Sequence, residues 1–143
     1  MTVDDYEEIR GLLARYAHAV DGPEPARVAE LFEPDGEFEL LGEVYKGRQA
    51  VAASFQRYAD QGILEGKRHL TVNTLIEVDG DTATAVSDWL VPSQERGSGA
   101  WTILAVGRYE DVLAKGERWQ FRSRRDLIAG PPPPEALAGR EGT

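Results

Sequence analysis

The sequence has no cysteine, which rules out disulfide staples and thiolate zinc sites. Histidine is nearly as scarce, with only His18 and His69. One falls on a helical pattern and the other on a strand pattern, so no metal centre is expected and no cofactor is implied. No stretch approaches the roughly 20 apolar residues of a membrane span. No basic-then-apolar leader opens the chain. A glycine-rich phosphate loop, a nucleophile elbow and a helical histidine pair are all missing. Positive charge is also in short supply, with 16 basic residues against 25 acidic ones and a net charge of -9. Nucleic acids and anionic membranes call for the opposite sign, and the simplest meaning of this charge is solubility. The absences together lead us to expect a cytoplasmic protein with neither nucleic-acid nor membrane partners.

What is present reads as one domain. Apolar residues make up 41% and charged residues 29% of 143 positions, an ordinary globular balance with enough chain for a real core. Pro131 to Pro134 cannot donate ladder hydrogen bonds and favour an extended chain. We therefore expect a domain over residues 1–129 and a flexible, proline-rich tail over 130–143.

The first helix is the clearest element. Asp4 and Glu7 have capping-box spacing, and Tyr6, Ile9, Leu12, Leu13, Tyr16, Ala17 and Val20 fall on one helical stripe. Asp21-Gly22-Pro23 ends it. A second helix is expected over Pro25 to Phe32, a turn at Pro34-Asp35-Gly36, a short strand over Glu37 to Leu41, and a third helix over Gly47 to Tyr58. From Arg68 the period changes to two, giving strands near 68–78, 82–91, 101–113 and 118–128. Helices followed by an antiparallel meander give an α+β domain. A strongly curved sheet closed by three N-terminal helices leaves a cone-shaped pocket for a small molecule.

Several ordered fragments then resemble the SnoaL-like branch of the nuclear transport factor 2-like superfamily. They are Arg15 to Gly22, Leu31 to Gly36, Tyr45 to Arg48, Arg68 to Asn73, Asp79 to Ala83, Gly107 to Asp111, and Trp119 to Phe121. In the dehydratase and dehydrochlorinase members of that family, an aspartate ending the first helix pairs with a histidine opening the first long strand. The resemblance carries those catalytic roles to Asp21 and His69. A tyrosine five residues before the aspartate, as in the bile-acid dehydratase, corresponds to Tyr16. The chain also departs from its catalytic relatives. His18 is misplaced for a second catalytic histidine, the strand aspartate of one relative falls near Val91, and Asp88 has the opposite parity. The implied function is a lyase or isomerase of the dehydratase type acting on a small cyclic or aromatic metabolite. The alternative is a non-catalytic ligand-binding or dimerisation module.

The residues can also be read by themselves. A neutral imidazole takes a proton near pH 7, and a carboxylate on its other nitrogen fixes tautomer and orientation. Strand alternation puts His69, Thr71 and Asn73 on one face, where Asn73 either holds the far end of a ligand or satisfies backbone groups; for His69 a structural histidine at a strand start is the competing reading. Asp21 stands at a helix end where aspartates often only make a turn, about 115° from the apolar stripe at roughly 100° per residue. Ala83, Ala85, Ser87, Trp89 and Val91 alternate on one face, which reads either as plain core packing or as a cavity wall; on the second reading Ser87 and Trp89 are candidate ligand contacts, as is Phe55 from the third helix. Arg118, Arg122, Arg124 and Arg125 read as paired surface charge, or else as one arginine turned inward to hold a carboxylate. Leu104, Val106 and Val112 oppose Ile103, Ala105 and Tyr109. Neither face looks made for water, and a homodimer through the outer face of the sheet is expected.

Overall fold

The structure, a computed structural model, describes residues 3–130. The segment from Pro131 onward, expected to be a tail, lies outside them. Helix α1 spans Val3–Asp21 and buries Ile9, Leu12, Leu13, Tyr16 and Val20, the expected stripe. Because it begins at Val3, Asp4 sits inside the first turn and not at a cap. Asp5 holds that end down, accepting hydrogen bonds from Lys115 Nζ (2.9 Å) and the Trp119 indole (3.1 Å).

Helix α2 spans Pro25–Glu30 and is shorter than expected. Phe32, fully buried, opens strand β1 (Phe32–Leu40) instead. Pro34-Asp35-Gly36 is therefore no free-standing turn. It forms an irregularity inside β1, where the register jumps from Phe32↔Phe121 to Glu37↔Ser123. Gly36 is needed there, because a Cβ would stand 2.9 Å from Phe32 Cβ and 3.0 Å from two backbone oxygens. Leu41 (φ 54°) and Gly42 (φ 78°) make a tight reversal into β2 (Glu43–Lys46), a strand that alternation did not mark. Two consecutive positive φ angles are what a two-residue hairpin of right-handed twist requires.

Helix α3 (Arg48–Asp60) buries Val51, Phe55 and Tyr58 as expected. Strands β3 (Leu70–Asp79), β4 (Thr82–Gln94), β5 (Trp101–Lys115) and β6 (Trp119–Ile128) form the long antiparallel run. The sheet order is β2-β1-β6-β5-β4-β3. The one pairing that is not antiparallel is β1 with β6, which lie parallel. They are far apart in sequence and joined through everything between, so no local turn signal could announce the pairing. The result is an α+β domain with a curled, unclosed, six-stranded mixed sheet and the helices on its concave side. No helix among the described residues is long and apolar enough to cross a membrane.

Register breaks set the curl. In β3, Val72 faces Asp88 and Leu75 faces Val86, so Asn73 and Thr74 together oppose one residue. Asn73 takes φ 53°, a conformation asparagine tolerates better than most residues. In β5 an extra residue, Leu104, lies between Ala105↔Val91 and Ile103↔Pro92. In β6 the extra residue is Arg122. Each such bulge bends its strand and raises the local twist.

Candidate functional site

The concave side holds a pocket of about 750 Å³ when the open space at its mouth is counted. Its wall is mostly apolar and aromatic, including Val20, Phe38, Phe55, Trp89, Val91 and Ile128. Tyr16, Tyr58, His69 and Asp126 bring polar chemistry to its lining. Lys67 adds a cation. Among the described residues no three histidine, aspartate or glutamate side chains gather as a metal site.

His69 and Asp21 meet. Nδ1 of His69 lies 2.7 Å from Asp21 Oδ1, with both side chains mostly shielded from solvent (17% and 15% exposed). The His69 backbone N–H also donates to both carboxylate oxygens, each at 3.1 Å. One carboxylate thus serves the ring and the main chain of the same residue. A carboxylate only accepts, so Nδ1 carries the proton of this hydrogen bond. In the neutral ring the lone pair then sits on Nε2. Helical periodicity alone left Asp21 off the buried stripe. What shields it is the incoming start of β3, a contact made across the fold.

Tyr16 is buried in the core stripe and reaches the pocket wall. Burial, the largest influence, raises its hydroxyl far above the usual tyrosine range, although Arg124 pulls the other way. Trp89 and Phe55 also line the pocket. Ser87 faces inward and is fully buried, but it does not reach the pocket, and its Oγ has no hydrogen-bond partner. Asn73 does not belong to the site. The bulge cancels the simple alternation that grouped it with His69, and its amide donates to Asp88 Oδ2 at 3.1 Å as an exposed pair.

Two residues of β6 were not singled out by alternation. Arg124, fully buried, is the inward arginine of the four. It forms a two-point ion pair with Asp111, at 2.8 and 3.0 Å, and both side chains are completely sealed from solvent. Its guanidinium lies 3.6 Å from the ring centre of Tyr109, 4.3 Å from Tyr16 and 4.5 Å from Phe121. Nη1 has no hydrogen-bond partner, and the faces of these rings take its place. Arg122 and Arg125 are surface partners of Glu33 and Glu39.

Asp126 stands two residues on, on the same inward face, beside Tyr109 in β5 and Leu40 in β1. Its Oδ1 is buried without a hydrogen-bond partner. Burial pushes its carboxyl up to about 7, against the pull of Arg124, His69 and the Trp89 indole. The bulge at Arg122 explains why parity missed it, since Phe121, Arg124 and Asp126 share a face only because one residue is looped out.

Gly107 lets the floor of the pocket form. A Cβ there would lie 2.3 Å from the Trp89 ring and 2.3 Å from the Leu127 carbonyl oxygen. The bare backbone of β5 is what allows the indole to lie across it.

Comparison with known proteins agrees with this architecture. Residues 1–125 match the profile of a family described as the SnoaL-like domain. No curated protein matches the chain. Among solved structures, a variant of Rv3472 from Mycobacterium tuberculosis, a protein of unknown function, is 32% identical with a TM-score of 0.80, covering 90% of this chain and 78% of that one. An NTF2-like protein with a cystatin-like fold from Novosphingobium aromaticivorans is 29% identical with a TM-score of 0.80, over 96% of this chain and 89% of that one. A protein from Catenulispora acidiphila, solved in complex with S-DNPA, is 25% identical with a TM-score of 0.74, over 87% of this chain and 95% of that one.

Proposed function

This chain belongs to the SnoaL-like domain family, and from that premise we propose that it is a lyase or isomerase that moves a proton on a small cyclic or aromatic metabolite. The observation that carries this reading is the 2.7 Å contact between His69 Nδ1 and Asp21. It leaves Nε2 as a free base on a residue of the pocket wall. Asp21 would hold the imidazole in that tautomer and stabilise the imidazolium once a proton has arrived. Tyr16 would position a substrate oxygen. The apolar wall supplies orientation and excludes water, which strengthens every polar contact inside. The step calls for no cofactor.

A metabolite screen by thermal shift, with product analysis of each hit, tests this. His69→Ala should abolish turnover while leaving the fold intact. Asp21→Asn should lower the rate strongly, because an amide can present its nitrogen and favour the wrong tautomer. Hits that bind in the pocket, stay chemically unchanged and bind His69→Ala equally well would instead establish a binding module.

The reading extends to assembly. Leu70, Val72, Leu75, Ile103 and Val106 stand exposed on the convex face and its rim, and a second copy of the chain would cover them.

A further inference from the structure

Resting on the reading above, we propose that Asp126 is the acid that works opposite His69, entering the reaction protonated and giving its proton to an oxygen of a neutral, ring-sized ligand.

The geometry begins with the pocket, which both residues line. Asp126 is flanked by Tyr16 of α1, Leu40 of β1, His69 before β3, Trp89 of β4, Tyr109 and Asp111 of β5, and Arg124 of its own strand. Among these the cation Arg124 is occupied by Asp111 through two hydrogen bonds. Lys67 lines the same pocket, but no described residue forms an ion pair with Asp126, and its Oδ1 is buried and unpartnered. A carboxyl in that situation keeps its proton near neutral pH and can donate a hydrogen bond. Its acidity, near 7, suits proton transfer at physiological pH. Tyr16 is another donor in the lining, but burial makes its hydroxyl far too weak an acid to release a proton readily. Tyr16 is left to orient.

The step balances as follows. His69 Nε2 takes a proton from a carbon beside a carbonyl, and the C–H electron pair becomes the C=C bond of an enol. The carbonyl π pair moves onto oxygen, which receives the Asp126 proton. In reverse, the carbon receives a proton from His69 and Asp126 recovers its own. In an elimination, the oxygen receiving the proton is the leaving hydroxyl, which departs as water. The same arrangement selects the ligand. A carboxylate would bring its charge against an acid that Arg124, held by Asp111, does not pair with, whereas a ketone or alcohol finds a donor within an apolar wall.

The test uses α-tetralone, a neutral bicyclic ketone, and 1-naphthoate, a carboxylate on a similar ring system. The wild type should bind α-tetralone, with affinity falling about 10-fold or more between pH 6 and pH 9 as Asp126 ionises. Asp126→Asn should bind it with little pH dependence. In D₂O the wild type should speed exchange of the α-hydrogens, with a bell-shaped pH profile. Asp126→Asn should slow exchange by about 100-fold and lose the alkaline limb. A ¹³C NMR titration of the wild-type Asp126 carboxyl checks its state without any ligand or variant.

Titration in the ordinary aspartate range would overturn the proposal. So would survival of the alkaline limb in Asp126→Asn, tighter binding of 1-naphthoate than of the ketone, or failure of the wild type to bind α-tetralone at either pH. His69→Ala separates the two readings. If it exchanges as fast as wild type yet keeps pH-dependent ketone binding, the base assignment falls and the Asp126 donor stands.

Discussion

Removing one member of the sealed Arg124–Asp111 pair should be far more damaging than removing both. Arg124→Met leaves the Asp111 carboxylate buried with no counter-charge, and Asp111→Leu strands the guanidinium in the same way. Both side chains are at 0% exposure, so solvent cannot reach in to compensate. Each single substitution should cost about 3–5 kcal/mol, a large part of the roughly 5–15 kcal/mol that holds a domain together. The double variant Arg124→Met/Asp111→Leu carries no buried charge and fills a similar volume. It should lie within about 2 kcal/mol of wild type, even though contacts with the Tyr109 and Tyr16 ring faces are lost. Urea unfolding of the four proteins at pH 7 gives the coupling directly. Costs that add to within about 0.5 kcal/mol would refute the reasoning, because they would mean that water screens each charge. Arg124→Met should also raise the Asp126 carboxyl further, since Arg124 is the strongest influence holding it down.

Other consequences can be measured as simply. Gly107→Ala forces a methyl group into the Trp89 ring and the Leu127 carbonyl; it should cost about 1–3 kcal/mol and change tryptophan fluorescence, and an unchanged melting curve would contradict the packing. With Asp126 raised to about 7 when folded, the folded state holds its proton to higher pH than the unfolded chain does. The stability tied to this group is thus complete below about pH 4 and is lost as pH rises toward 7. Asp126→Asn should therefore gain a few kcal/mol relative to wild type between pH 4 and pH 8, and a pH-independent difference in urea midpoints would exclude this. Sedimentation should show a dimer at micromolar concentration, with Ile103→Glu/Val106→Glu monomeric; a monomeric wild type would count against pairing through the sheet.

Much of this site can be read along the chain, and the remainder hides behind specific breaks in periodicity. The stripe on α1, the breaker after Asp21 and the onset of alternation near Arg68 place helix, turn and first long strand with little ambiguity. The family resemblance then links Asp21 to His69, which no local rule could do. Simple alternation fails wherever a residue is looped out. The bulge at Asn73 sends an expected ligand contact to the outer surface, and the bulge at Arg122 brings Arg124 and Asp126 inside. Bulges in β-strands leave weak marks in sequence, because one extra residue changes parity without changing composition. The parallel β1–β6 pairing is hidden for a related reason. It joins segments with no turn between them, and Phe32 is apolar enough to pass for the last residue of a helix.

The way Asp21 holds His69 has a kinetic side. The same carboxylate accepts the ring Nδ1–H and the main-chain N–H, so the end of α1 and the entry to β3 can only separate if the base loses its orientation. Each local opening of that junction is at once a structural fluctuation and an interruption of the site. Amide hydrogens exchange with solvent through such openings, and the His69 amide is one of the two donors released. Its protection against exchange therefore clocks how much of the time the dyad stands assembled, and it does so in the resting protein with no substrate present.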